Sequence, residues 1–227
     1  MLPKKVVLLS GFLWLILLIP CHGQPLPSAL ISSENAEVSP NTAVSTPPPF
    51  TVDASSQKAI VAYIQQHHRN VPLGEAQEIA KHIILQSEKQ DIDPMFTAAV
   101  ISAESGFNRK AVSRSGAKGL GQLTPPTYRH LNVTNPFDIE QNVTATTVYL
   151  GNLLDMWKNS AQQETLALAS YLRGYVRIKR SGGKLDRFAS RYTQEVLRRY
   201  NELKNKHQQF ETAEAATPSS PSIQSKK

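Results

Sequence analysis

The sequence predicts an all-α domain with at most a small β-hairpin, set between two polar extensions. Three observations carry that expectation. Apolar residues recur at steps of three and four through the central part of the chain. Helix start and stop residues punctuate them. Alternating patterns are confined to Gly116–Leu123 and Val176–Ile178, either of which is long enough only for a brief pairing.

The expected elements follow in order. Gln57–His68 carries Ile60, Val61, Tyr63 and Ile64, and Glu75–Gln90 carries Ile79, Ile83 and Ile84. Asp93-Pro94 sets a capping side chain before a proline at the first helical position, opening a helix to about Glu104. Met95, Phe96, Ala98, Ala99, Val100 and Ile101 make that helix apolar nearly all round, so it is expected to be buried and central. Gly106 suits the left-handed residue that stops it. Thr124-Pro125 opens a short helix. Asp138 with Gln141 forms a capping-box pattern ahead of a long one striped by Ile139, Val143, Leu150, Leu154 and Trp157. Two more helices are expected, at about Gln162–Leu172 and Leu185–Leu203.

The flanks read differently. Lys4 and Lys5 precede the apolar run Val6–Pro20 and then Cys21-His22-Gly23, the layout of a secretory signal peptide over residues 1–23, cleaved after Gly23. The run is shorter than the roughly 20 residues of a spanning helix. An uncleaved anchor is one alternative. A lipid-modified Cys21 is another, opposed by Pro20 where a small residue belongs. Residues 24–55 are rich in Pro, Ser and Thr and read as a linker. Residues 56–205 form the expected catalytic domain, and 206–227 a disordered tail. Cys21 is the sole cysteine, so a mature chain lacking it has no thiol chemistry. The formal charge of +7 suits polyanions in general, wall polymers and lipid headgroups included; nucleic acid fits poorly with export.

Glu104 is the residue that points to chemistry. It ends an apolar helix, where lost hydration disfavours the carboxylate and raises the pKa. A carboxylic acid still protonated near neutrality can donate to a leaving oxygen and later take a proton back. An exposed helix-end carboxylate is the plain alternative. His67, His68, His82 and His130 lack metal-ligand spacing, and neither a metal nor a cofactor is expected. Asn132-Val133-Thr134 and Asn142-Val143-Thr144 match glycosylation acceptors by chance. Arg177, Lys179, Arg180, Lys184, Arg187 and Arg191 form a basic cluster, either a solvated face or a hold on an anionic wall polymer.

Glu104-Ser105-Gly106-Phe107-Asn108 resembles the E-S-G-F-N signature of the soluble lytic transglycosylase (SLT) catalytic domain, a lysozyme-like fold related to goose-type lysozyme. Gly119-Leu120-Gly121-Gln122-Leu123 with Pro126 is similar to that family's G-L-M-Q loop. Asn135-Pro136-Phe137-Asp138 with Gln141-Asn142 resembles its P-F-D-P-x-x-N run, and Ala167-Leu168-Ala169-Ser170-Tyr171 its A-L-A-A-Y-N stretch. Arg191-Tyr192 and Val196 to Tyr200 look like its closing helix. The resemblance implies a lytic transglycosylase of peptidoglycan, in which Glu104 protonates the bond between N-acetylmuramic acid and N-acetylglucosamine. Glu104 then acts as base while a 1,6-anhydro ring closes. It implies substrate contacts from Ser105, Gln122 and Tyr171, and a Tyr192 hydroxyl that orients Glu104. For Ser105 a helix-end hydroxyl is the other reading; for Tyr171 and Tyr192 it is core packing.

Two positions depart from the pattern. Gly121 stands for the usual methionine, which would remove an apolar wall of the cleft, and Leu172 replaces a polar asparagine. A non-catalytic glycan-binding scaffold and a lysozyme-type hydrolase are therefore the competing readings. The expected partner is the glycan strand, with a secretion or conjugation machine as a further possibility and the membrane only through the N-terminal segment. The expected location is the periplasm or cell envelope.

Overall fold

The computed structural model describes residues 53–216. The signal-peptide reading, nearly all of the linker and the last residues of the tail lie outside them. Eight helices are present among the described residues: α1 (Ala54–His67), α2 (Leu73–Lys89), α3 (Pro94–Ser105), α4 (Pro125–His130), α5 (Ile139–Met156), α6 (Gln163–Arg173), α7 (Tyr175–Arg180) and α8 (Arg187–Ala215). No helix there is long and apolar enough to cross a membrane.

Helix α3 is the buried centre. Asp93 caps it by accepting from the Met95 amide at 2.8 Å, and every residue from Met95 to Ser102 is buried. Helices α1, α2, α5 and α8 pack around it. Among so many apolar neighbours its own hydroxyls must pair internally, and Ser87 donates to Thr97 at 2.9 Å. Gly106 takes the left-handed conformation (φ 59°, ψ 37°) and its amide closes on the Ser102 carbonyl. The chain therefore turns sharply just beyond Glu104.

Residues 106–124 form the only β-like pairing among the described residues. Two isolated bridges, Val112 with Lys118 and Lys118 with Leu123, stand where the sequence allowed a small hairpin. Val176–Ile178, the other candidate, lies in α7 instead. Following Gly174, that short apolar group buries Ile178 against Leu166 and Ala169 on helical spacing. Asp138 caps α5 through the Gln141 amide at 2.9 Å, but the capping box is only half made. The Gln141 side-chain oxygen Oε1 accepts from the amides of Thr134 and Asn135 rather than from that of Asp138.

The disordered tail expected from residue 206 is corrected: α8 continues to Ala215. It is held by α1, where Ser55, Ser56 and Asp53 gather around the His207 ring and Lys58 pairs with Glu214. Phe210 packs against the core one turn further along. Residues 54 and 55, expected in the linker, begin α1 under the Asp53 cap.

Because these contacts are long-range, deleting residues 206–227 is expected to lower Tm by several degrees, about what losing 1–2 kcal/mol does at this size. An unchanged melting curve in circular dichroism would show that the last turns of α8 contribute nothing.

Candidate active site

The site is built from the ends of three helices and one loop. Helix α3 delivers Glu104, α8 delivers Tyr192, α6 delivers Tyr171, and the Gly119–Leu123 turn faces α5. The Tyr192 hydroxyl donates to Glu104 Oε1 at 2.6 Å across 88 residues of sequence. Burial nevertheless dominates. Half-buried and short of hydration, the Glu104 carboxyl is pushed up to about 7, against the opposing pull of the Tyr192 hydrogen bond. No second carboxylate contributes to that shift. Burial and the neighbouring Glu104 charge hold both Tyr171 and Tyr192 well above the ordinary phenol range, so each stays a neutral hydroxyl.

Tyr171 is placed by two neighbours. Its hydroxyl donates to the Gly121 carbonyl at 2.6 Å, and its ring leans on Tyr149 with centroids 5.2 Å apart. The loop beneath it is fixed by Asn142, only 1% exposed. The Asn142 carbonyl oxygen accepts from the Gly121 amide at 2.8 Å, while its amide group donates to the carbonyls of Lys118 and Pro136 at 3.2 and 2.8 Å. Gly119 is required here: its φ is +76°, and an added Cβ would lie 2.1 Å from the Pro136 oxygen. Gln122 sits at φ 49°, strained for a non-glycine residue. Its side-chain nitrogen folds back onto the carbonyls of Ala111 and Gly119 at 3.2 and 3.0 Å.

Two sequence expectations change. Ser105 makes no bond to Glu104. Its hydroxyl donates to the Ile101 carbonyl at 3.3 Å, one turn back, as a helix-end hydroxyl does. It borders a separate polar cavity of about 750 Å³ with His68, Arg69 and Asn108. Gly121 does not open an apolar wall: a Cβ there would point at Thr146 of α5, 1.9 Å from its hydroxyl and 2.9 Å from its Cβ. Thr146, fully buried, already fills that space. Glu104, Tyr192 and Tyr171 are thus brought together, Gln122 joins through its loop, and Ser105 faces elsewhere.

Sequence reasoning missed the supports. Asn142 was visible in the run with Pro136, Phe137 and Asp138, and as a chance glycosylation match, but neither gave it a role. Arg199 lies two turns after Tyr192 and donates to the Ser102 carbonyl at 3.1 Å and to its hydroxyl at 2.6 Å, bracing the end of α3. His68 and Tyr63 share that same hydroxyl, and burial beside Arg199 drives His68 down to about 4. The helical spacing of Arg199 from Tyr192 was the available signal.

Fold and site together define a class: a helical domain organised around one half-buried carboxylic acid, protonated up to about neutral pH and held by a tyrosine. The chain matches the Transglycosylase SLT domain family over residues 81–205 and belongs to that family. It is 40% identical over 96 residues to the membrane-bound lytic murein transglycosylase F of Desulfosudis oleivorans, covering 41% of this chain and 21% of that protein. It is 30% identical over 99 residues to the protein of the same name in Shewanella sp., covering 42% and 21%. The chain thus matches about a fifth of the length of these relatives. Among solved structures it is similar to the lytic transglycosylase Slt of Pseudomonas aeruginosa (TM-score 0.49, 18% identity, 65% of this chain and 25% of that one). It is also similar to the 70 kDa soluble lytic transglycosylase of Escherichia coli (TM-score 0.45, 19% identity, 68% and 30%).

Two outcomes follow from the geometry. A carboxyl at about 7 in the folded chain, against an ordinary 4.5 unfolded, binds its proton more tightly when folded. Stability is therefore lost as pH rises from about 4.5 to 7. Glu104→Gln is expected to stabilise the protein above pH 7, by at most about 3 kcal/mol, and to give no gain below pH 4.5. Urea titrations of both proteins across that range check it; a gain that does not vary with pH sinks the burial argument. Gly121→Ala is expected to destabilise by about 1–3 kcal/mol through overpacking, and Thr146→Gly to recover part of that loss in the double variant. Additive losses in a double-mutant cycle would contradict the interlock.

Proposed function

We propose that the chain is a peptidoglycan lytic transglycosylase that cleaves the β-1,4 bond between N-acetylmuramic acid and N-acetylglucosamine. The observation that carries this is Glu104, half-buried at the end of α3, protonated up to about pH 7 and oriented by Tyr192. Membership of the SLT family and the names of its relatives agree with it.

In this reading the Glu104 carboxylic acid gives its proton to the glycosidic oxygen as the bond to muramic C1 breaks. The muramic acetamido oxygen supports C1 during departure, as in substrate-assisted glycosidases, so one protein carboxyl suffices. The Glu104 carboxylate then takes the proton of the muramic 6-hydroxyl, whose oxygen closes on C1 and releases the acetamido group. No water is consumed. Tyr192 keeps the carboxyl aimed throughout, and Tyr171 sets the loop that borders the reacting sugar. The Gly121–Thr146 packing weakens the scaffold reading, since it removes the supposed gap in the cleft.

Residues 1–23 acting as a secretory signal would deliver the domain to the cell envelope, where the glycan strand is its partner. Service to a secretion or conjugation machine, and membrane attachment through an uncleaved signal or a lipidated Cys21, rest on sequence alone.

Mass spectrometry of peptidoglycan digested by the purified protein is expected to show 1,6-anhydromuramic ends. Glu104→Gln should lower their rate of formation by about 10³-fold or more, and the wild-type kcat should fall above about pH 7 as the acid ionises. Reducing ends in place of anhydro ends would make the enzyme a hydrolase. No products of either kind, despite binding to sacculi, would make it a scaffold.

A further inference from the structure

We propose that Phe188 is an outer sugar subsite, a stacking platform one pyranose removed from the bond at Glu104; this deepens the transglycosylase reading and rests on it. Three observations point there. First, Phe188 is 54% exposed, the only aromatic among the exposed large hydrophobic side chains of the described residues. Leu73 and Val112 are as exposed, but neither offers a flat ring to a ligand. Second, Phe188 and Tyr192 are four residues apart on α8 and share one face. The face that carries the hydroxyl on Glu104 therefore extends about 6 Å further, close to one sugar repeat.

Third, the ring is held from behind. The Arg173 guanidinium lies 4.9 Å from its centroid, and Asp186 anchors that guanidinium at 3.1 Å while also capping α8 through the Ala189 amide at 2.8 Å. Arg173 is the last residue of α6, the helix that also carries Tyr171, so the clamp ties the end of that helix to the start of α8. A ring gripped on one face and open on the other suits the apolar C–H face of a pyranose. Arg187 and Arg191, exposed one residue before and three after Phe188, sit where they meet acidic substituents, such as the stem-peptide carboxylates of a muramic sugar. The ligand is thus a long, peptide-bearing glycan strand.

The test uses full-length protein carrying Glu104→Gln, alone and with Phe188→Ala or Phe188→Trp, titrated with peptide-bearing glycan strands and with a disaccharide. Phe188→Ala is expected to weaken strand binding about 2- to 10-fold, as losing one aromatic contact does, and Phe188→Trp to restore it. In the active protein, KM for strands rises by the same factor while kcat holds, the mark of an interaction made equally in ground and transition states. Equal affinities for strands in all three variants overturn the subsite and leave the transglycosylase reading intact. Failure of Glu104→Gln itself to bind any glycan overturns both. A Phe188→Ala defect seen only in sedimentation with phosphatidylglycerol vesicles would make the surface a membrane contact and overturn the subsite.

Discussion

The hydrogen bond from Tyr192 to Glu104 is the constraint on which the rest of the molecule depends. A carboxyl withdrawn from water loses solvation that one hydroxyl only partly replaces, so its geometry must be enforced by packing. The enforcement is visible in where α8 is tied to α3. Tyr192 reaches the Glu104 carboxyl, Arg199 braces the Ser102 carbonyl two turns on, and Tyr200 donates to Asp93 at the other end of α3 at 2.7 Å. Three contacts along one helix hold both ends of another.

A second layer of control lies in the loop opposite. Asn142 satisfies its whole side-chain amide within the protein, accepting from the Gly121 amide and donating to the Lys118 carbonyl beside the loop and to the Pro136 carbonyl ahead of α5. A buried amide with every polar atom paired fixes a unique arrangement, whereas a half-paired one would favour several. Tyr171 then reads that arrangement out through the Gly121 carbonyl. Loop position and cleft wall are one mechanical unit, although they come from three separate stretches of sequence.

Much of this was legible in the residues. Asp93-Pro94, Asp138 and Gly106 mark helix ends by local chemistry, and local chemistry is what a single sequence displays. Glu104 was legible because its apolar run told of burial, and Tyr192 because the family resemblance gave its partner. What escaped was the long-range part. Val176–Ile178 has too few residues for its period to distinguish helix from strand. The end of α8 looks polar because only Leu203 and Phe210 face the core, and its other partners lie some 150 residues earlier. Gly121 looked like a loss until Thr146, 25 residues on, was seen to occupy its space.

The clasp between the first turns of α1 and the last turns of α8 brings Asp53 and His207 within 3.2 Å. The chain thus enters the domain beside the later turns of α8, and that helix runs about 22 Å from His207 back to Tyr192. Whatever precedes residue 53 therefore joins the domain some four turns along α8 from the tyrosine that holds the acid. A tether on that flank would hold the domain by a part that takes no share in the site, leaving the acid clear of it.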